Sequence, residues 1–421
     1  MNNVTFSTVG ALIGLALSIF LIIKNFHATY ALIIGALVGG IIGGGGLVGT
    51  VSAMVKGSES MMSSVLRIMT SGILAGCLVK TGAAEKIADT IIKKLGEQKA
   101  LIAIAISTMI ICAVGVFIDI SVITCAPIAL AVGKKSNLSK SSILLAMIGG
   151  GKAGNVISPN PNTIATAEGF KLNLTSLMYV NIIPAICALI VTIIIAMALA
   201  KKKTDVIDST DLESSERTNL PSFFASILGP VTVIILLALR PIAKITIDPL
   251  IALPLGGFVC LLATKETKNT KEYVNYGFSK IIGVCALLIG TGTIAGIIKN
   301  STLQTDMINL ITAFNLPAFI LAPVAGILMG GATASTTAGS TIASQTFSKS
   351  LIDANVTALN AGAMVHAGAT VIDSLPHGSF FHATGGSVKM SIADRLKIIP
   401  YEAAVGLTTT IASVLVYLIT K

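Results

Sequence analysis

The chain has 421 residues, of which 53% are hydrophobic and only 11% are charged. Soluble domains carry about 25% charged residues, so this composition excludes an ordinary soluble protein and predicts an all-α, polytopic membrane protein. The net charge of +10 comes from short basic runs between apolar segments. Such runs are typical of cytoplasmic loops and do not indicate a nucleic-acid partner.

The apolar segments form two series of five predicted membrane spans, separated by one hydrophilic stretch. The first series is predicted at 4–23, 30–55, 67–82, 142–168 and 176–200, and the second at 222–239, 249–264, 281–298, 357–383 and 398–419. Residues 201–220 predict an exposed, flexible cytoplasmic linker. The chain therefore divides into a first half at 1–200, this linker and a second half at 221–421.

The two halves carry traces of an internal duplication. Ala153-Gly154 aligns with Ala367-Gly368, and an Ile-Ile-Pro sequence occurs at both 182–184 and 398–400. Five spans per half require the second half to enter the membrane in the opposite orientation, as an inverted repeat. With the linker in the cytoplasm, most Lys and Arg residues fall on the cytoplasmic side, Lys280 among them, as the positive-inside rule expects.

In the first half, the apolar block 101–133 is broken at its centre by Gly115, Asp119 and Ser121. Each arm has about 16 residues, whereas a hydrocarbon core of ~30 Å needs about 20. We therefore expect a re-entrant helical hairpin with its tip at Phe117 to Ser121, where Asp119 and Ser121 are candidate substrate ligands.

In the second half, the block 317–348 is broken by the run GGATASTTAGST at 330–341. Small hydroxyl residues often serve only to pack membrane helices together. Ser335, Thr336 and Thr337 occupy the centre of the block, however, which favours a second re-entrant hairpin with a binding tip.

The span 142–168 is broken by the sequence SPNPNT at 158–163. Its prolines remove backbone donors, which leaves free carbonyls before the break and a new helix N-terminus after it. Such an N-terminus carries roughly +0.5 charge and suits a carboxylate. The nearby polar residues are candidate substrate ligands: Lys152, Asn155, Asn160, Asn162 and Thr163.

A nucleotide-binding loop is excluded in this span. The sequence GGGKAGN at 149–155 has Ala146 and Ala153 where the phosphate-loop pattern requires Gly and Ser or Thr. Lys152 is therefore interpreted as an intramembrane cation with a functional role.

The span 357–383 is broken by Pro376 and carries an unusual concentration of ionisable residues. Histidine titrates near neutral pH, and a buried carboxylate moves into the same range, so both suit a coupling proton. The candidate proton-coupling residues are Asp119, His366, Asp373 and His377. The sequence also predicts substrate contacts from His377, Gly378 and Ser379. The six cysteines and four histidines lack metal-type spacing, so no metal or other cofactor is expected.

Several of these motifs resemble those of the gluconate:proton symporter (gluconate permease) family, within the larger ion transporter superfamily. They are FIDIS at 117–121, SPNPNT at 158–163, ATASTTAG at 332–339 and SLPHG at 374–378. The last looks most like the 3-hydroxybutyrate permease branch, in which the family motif is similar to DTLPHNG. Here Asp373, Leu375, Pro376 and His377 are kept and the Asn is missing.

The resemblance implies a secondary active transporter that takes up a small hydroxylated organic acid anion, gluconate-like or 3-hydroxybutyrate-like, together with protons. It also implies an elevator-type division into scaffold and transport parts, a homodimer, and location in the bacterial cytoplasmic (inner) membrane. The hairpin and SPNPNT oxygens would equally serve sodium, so sodium coupling stays open. An integral-membrane enzyme is a weaker alternative, because the only long polar segment is the linker at 201–220.

Overall fold

The computed structural model describes residues 5–24, 26–202, 205–208, 211, 219–243, 245, 247–303, 305–306, 309, 317–376 and 378–420, without the side chains of 240–243. Over these residues the protein is helical and contains no multi-residue β-strand. His377 lies outside the described residues, as does most of the predicted linker.

Eleven helices form the first half of the described chain. They are α1 (Thr8–Ile23), α2 (Ala28–Ile42), α3 (Gly46–Glu59), α4 (Met62–Lys80), α5 (Ala83–Leu95), α6 (Ala100–Ala113), α7 (Ile118–Lys135), α8 (Lys140–Asn155), α9 (Pro161–Gly169), α10 (Leu174–Val180) and α11 (Ile182–Ala200).

Nine helices form the second half over the described ranges. They are α12 (Phe223–Ala243), α13 (Pro249–Thr264), α14 (Thr270–Lys299), α15 (Leu321–Thr333), α16 (Thr336–Asp353), α17 (Ala358–Ala369), α18 (Ser379–Ser387), α19 (Ile392–Leu396) and α20 (Ile399–Thr420).

Four of these helical segments are long and apolar enough to cross a membrane, counted within the described residues. They are Met62–Lys80, Ile182–Ala200, Thr267–Lys299 and Ile392–Thr420. Five shorter apolar helices and a bent pair accompany them. The architecture is therefore that of a helical, multi-pass membrane protein, while the ten-span count stays a prediction.

Three of the predicted spans differ from the helices that form, and one of them, 176–200, is divided at Asn181 between α10 and α11. The predicted span 30–55 is wrong as a single helix, because it is broken between α2 and α3 by four consecutive glycines at 43–46. Two of them, Gly44 and Gly46, have φ values of 91° and 59°, a left-handed conformation that ends a helix. The predicted span 281–298 is part of the 30-residue α14.

The extension of α14 corrects the placement of Lys280. This residue does not lie in a loop before a span but in the first half of α14, about 15 Å along the helix from Thr270. The polar start of α14 is helical because its buried face, including Tyr273 and Gly277, packs on α4 while Lys271 and Glu272 stay exposed.

The helices pack into two groups. The frame group consists of α1–α4 and α12–α14, in which α1 packs on α2, α12 on α13, and α14 on α2, α3 and α4. The site group consists of α6–α9 and α15–α18, in which α6 packs on α8 and α15 on α17. The groups meet where α4 contacts α9 and where α14 contacts α16.

Glycines allow the close helix contacts inside the site group. A Cβ added at Gly150 or Gly154 on α8 would overlap the backbone of α6, and a Cβ at Gly326 or Gly330 on α15 would overlap the backbone of α17. Both pairs have the small-xxx-small spacing of tightly packed membrane helices. Each helix–break–helix segment is thereby held against the next one along the chain.

Arg67 on α4 connects the two groups by ionic contacts. Its guanidinium pairs with Glu168 on α9, and its Nη2 donates to Asp248 Oδ2 at 2.7 Å, just before α13. Hydrogen bonds from Arg67 hold the pKa of Asp248 below its usual range, although partial burial opposes this.

The described residues of the predicted linker are partly exposed, as Lys201 and Val206 are, but some of them pack on the site group. Ile207 is buried, and Asp211 accepts a 2.7 Å ionic hydrogen bond from Lys140 at the start of α8. Asp205 Oδ2 also accepts from the backbone N and Oγ of Ser141. These contacts fix the described linker residues against the site group.

Candidate functional site

The four helix breaks of the site group surround one cavity of about 160 Å³. Its polar lining comes from the first hairpin, both broken helices and the second hairpin: Asp119, Asn155, Asn160, Asn162, Ser335, Thr336, Thr337, Asp373 and Ser379. One lysine, Lys280, reaches it from α14 of the frame group. Residues far apart in the sequence thus contribute to a single polar chamber in an otherwise apolar protein.

The first broken helix ends and restarts through its asparagines. Asn160 caps α9, because its Oδ1 accepts from the backbone N of Asn162 at 3.0 Å and of Thr163 at 3.1 Å. Its Nδ2 donates to Asn155 O at 2.9 Å and to Asn155 Oδ1 at 2.5 Å. Pro161 occupies the first helical position, where its missing N–H costs nothing.

Asn155 keeps one unused donor in this arrangement. Its Oδ1 also accepts from Asn162 Nδ2 at 2.8 Å, while its buried Nδ2 has no hydrogen-bond partner among the described residues. A buried unpaired polar group is costly unless a ligand or water satisfies it. Because Asn155 lines the cavity, this amide is available to a substrate oxygen.

Asn162 links the first broken helix to the second hairpin. Its Oδ1 accepts a short hydrogen bond from Thr337 Oγ1 at the start of α16. Two segments that the sequence singled out separately are therefore joined side chain to side chain at the cavity wall.

Asp373 forms the most buried ionic contact of the site. Its Oδ1 accepts from Lys152 Nζ at 2.7 Å and its Oδ2 from Thr336 Oγ1 at 2.6 Å. Lys152 Nζ also donates to the Thr370 carbonyl at 2.5 Å. The Lys152 ammonium is fully buried and is not part of the cavity lining. Lys152 therefore lies behind Asp373 and holds the charge and position of this cavity-lining carboxylate.

Asp119 faces the cavity from the first turn of α7. It is the acidic residue of that first turn and interacts electrostatically with Lys280. Helix N-termini favour negative charge, which accounts for a carboxylate at this tip. Ser121 lies two residues further along α7, is fully buried, and is not part of the cavity lining.

At the second hairpin tip, Ser335 caps α16 by accepting from Ala338 N at 3.3 Å. The preceding Ala334 has a φ of 45°, and a Cβ added at Gly378 would collide with it. Gly378 therefore lets the tip approach the start of α18. No side chain caps α18, and Ser379, its first residue, lines the cavity.

Some predicted site residues lie outside the cavity lining. Thr163 is buried and donates to Asn155 O at 3.3 Å. His366 is fully buried on α17, and neither ring nitrogen has a partner within the described part of the chain. The proposed coupling roles of His366 and His377 stay predictions.

Lys280 is the site residue that sequence reasoning missed. It was assigned to the cytoplasmic lysines because the apolar run begins just after it. The signal that identifies it is the spacing of Tyr273, Gly277 and Ile281 by four residues, which continues one face of the helix of the predicted span backwards past Lys280.

A second cavity among the described residues has a different lining. It is larger, about 550 Å³, lies between α5 and α7 and is lined by charged residues such as Glu85, Asp89 and Lys135. None of the predicted site residues lines it. The smaller chamber is therefore the better candidate for substrate.

Comparison with known proteins agrees with a transport site. The model of the family described as GntP family permease matches residues 6–420. The chain is 52% identical to a Haemophilus influenzae transporter over 98% of both chains. It is 22% identical to the Escherichia coli high-affinity gluconate transporter, covering 91% of this chain and 92% of that one. It is also 21% identical to the Escherichia coli D-serine transporter DsdX, covering 77% and 79%.

Among solved structures, the fold is similar to that of the Alcanivorax borkumensis YdaH transporter, with a TM-score of 0.69 and 12% identity over 89% of this chain and 88% of that one. At this identity the likeness concerns the fold alone. Family members are transporters and not enzymes. With a family match that extends over nearly its whole length, the chain belongs to the GntP family of permeases.

Proposed function

We propose that this permease is a secondary active transporter that takes up a small hydroxylated organic acid anion, gluconate-like or 3-hydroxybutyrate-like, with protons across the bacterial cytoplasmic membrane. The observation that carries the proposal is the chamber at the four helix breaks, in which amides, hydroxyls and two carboxylates converge. Broken helices around a polar site deep in the protein suit alternating access.

The polar groups of the chamber match a polyhydroxylated substrate. Hydroxyls of the substrate both donate and accept, and the chamber offers donors such as Asn155 Nδ2 and acceptors such as Asp119. The chamber volume of about 160 Å³ restricts the substrate to a small molecule. The gluconate transporter among the relatives supports the same class.

An inverted-repeat, elevator-type homodimer is the architecture we propose for this activity. Equivalent pairings in the two halves support the repeat: α6 packs on α8 as α15 packs on α17, and α7 contacts α18 as α16 contacts α9. In this proposal α6–α7 and α15–α16 are re-entrant, and the site group moves relative to the frame group.

For the coupling proton, Asp119 is the favoured carrier among the described residues. Asp373 is held by Lys152 and Thr336, so protonating it requires the loss of a buried ion pair. Asp119 faces the chamber without a direct ion pair in the described structure. Coupling further requires that its protonation depend on substrate occupancy.

Uptake by purified protein in liposomes tests the proposal. An inward proton gradient in sodium-free buffer is expected to drive accumulation of labelled gluconate or 3-hydroxybutyrate. Asp119→Asn is expected to lose this accumulation while keeping exchange of internal for external substrate, because the site remains but cannot release a proton. His377→Gln is measured beside it, as the other candidate carrier.

Three results would overturn parts of this proposal. Accumulation driven by a sodium gradient alone would replace proton with sodium coupling. Uptake of D-serine in preference to either hydroxy acid would change the proposed substrate class to an amino acid. D-serine is tested because the relative DsdX is a D-serine transporter. If Asp119→Asn still concentrates substrate under a proton gradient, Asp119 is not the carrier.

The re-entrant hairpins are tested by single cysteines at their tips. In protein lacking the six native cysteines, Phe117→Cys and Ser335→Cys are expected to react with membrane-impermeant thiol reagents from the side to which the chamber is open, and substrate is expected to protect both, since both tips line the same chamber. A cysteine at Leu228, on the exposed surface of α12, serves as the unreactive control. Access to each tip only from the far side of the membrane in every state, as in two full crossings per block, would contradict the re-entrant arrangement.

A further inference from the structure

We propose that Lys280 binds the carboxylate of the substrate and so selects acids over neutral polyols. This inference rests on the proposed function and adds the residue that sets the charge preference. A carboxylate substrate needs a cation in the site, and the sequence offered Lys152 for that role. The structure points instead to a lysine on another helix.

Lys280 is the cation that lines the chamber among the described residues. It projects from α14, whose next turn contributes Val284 to the same wall. The opposite walls are made of the site-group breaks, including Asn155, Thr337 and Ser379. A substrate held between these walls has hydroxyl-binding groups at one end and an ammonium at the other.

The ammonium of Lys280 is available to a ligand. It forms no ion pair with any acid in the described structure, and Lys280 Nζ lies over the ring of Tyr276, 5.1 Å from the ring centroid. Asp119 interacts with it electrostatically without a direct salt bridge. Lys152, by contrast, is buried and bound to Asp373.

Lys280 can favour an anionic substrate over a neutral one without a large desolvation penalty in the empty protein. Lys280 lines the chamber and is exposed, so its charge stays hydrated in the empty protein. A carboxylate that enters replaces part of this hydration by a charge-assisted hydrogen bond, which a neutral polyol cannot form. The amides and hydroxyls of the opposite walls then contribute equally for acid and polyol.

Transport kinetics of Lys280→Gln in liposomes test the inference. The KM for gluconate is expected to rise roughly tenfold or more, since a charge-assisted contact is lost. Lys280→Arg is expected to keep a KM within about threefold of the unmodified value, because the cation remains. Sorbitol has a CH2OH group in place of the gluconate carboxylate and is therefore its neutral analogue. As a competitor of labelled gluconate uptake, sorbitol is expected to be about as effective as unlabelled gluconate in Lys280→Gln but much weaker in the unmodified protein.

Lys271→Gln is the matched control, because Lys271 lies on the same helix, is exposed and does not line the chamber. It is expected to transport like the unmodified protein. If the unmodified protein takes up gluconate and Lys280→Gln has the same KM and the same preference over sorbitol, the inference fails while the proposed function stands. If the unmodified protein carries no organic acid, the proposed function fails and the inference with it.

Discussion

Replacing Asp373 by asparagine is expected to destabilise the folded protein by about 3–5 kcal/mol, because it leaves the Lys152 ammonium buried without its counter-charge. The remaining partners of Lys152 are backbone carbonyls of Thr370 and Glu402, which do not neutralise it. Lys152→Met is expected to cost a similar amount. The measurement is thermal unfolding in detergent, followed with a thiol-reactive dye, since five of the six cysteines are buried.

The double variant Lys152→Met/Asp373→Asn distinguishes two causes of destabilisation: a buried charge left without its partner, and the loss of the ion-pair contact itself. Removing both charges is expected to recover much of the stability, so the two changes are strongly non-additive. The exposed pair Lys349–Asp353 is the control. Lys349→Met is expected to change stability by about 0.5 kcal/mol or less. An Asp373→Asn midpoint equal to that of this control would show that the buried pair contributes nothing.

Replacing Gly277 by leucine is expected to prevent the close packing of α14 on α4. A Cβ at Gly277 would overlap the carbonyl oxygen of Gly72 and approach Gly76, so the two backbones must separate. Overpacking of this kind typically costs 1–3 kcal/mol and more where backbone atoms collide. For Gly277→Leu we expect a low yield of folded protein in size-exclusion chromatography and a much lower midpoint of thermal unfolding.

Gly283 offers the matched control on the same helix, because no atom lies within 4 Å of its added Cβ. Gly283→Ala is expected to be neutral or stabilising by roughly 0.5–1 kcal/mol, since alanine favours a helix over glycine. Gly277→Ala is expected to be destabilising despite the same gain in helix propensity. Equal midpoints for the two alanine variants would exclude a tight α4–α14 contact.

The helix breaks were predictable because they follow from local chemistry. Pro161 and Asn160 interrupt one helix, Gly115 with its φ of 108° interrupts another, and the glycine run at 43–46 interrupts a third. The last of these was nonetheless missed, because its flanks are apolar enough to resemble one continuous span. Local rules identify a possible break, whereas packing decides where the chain turns.

The partners of the polar residues were not predictable in the same way. Lys152 and Asp373 are 221 positions apart, and Thr337 and Asn162 are 175 apart. No residue pattern within one helix specifies such pairs. They form because α8, α16 and the break before α18 pack around one point. The same packing places Lys152 behind Asp373, outside the chamber lining in which the sequence had predicted it.

The sequence by itself determined that the protein is helical and membrane-embedded, that four segments are interrupted, and that polar residues concentrate at the interruptions. These properties depend on composition and on neighbours within a few positions. The tertiary structure alone decided that the interruptions share one chamber, that Asp373 forms an ion pair with Lys152, and that Lys280 reaches the chamber from α14. Those contacts depend on close packing between distant helices, where glycines such as Gly277 set the separation of the backbones.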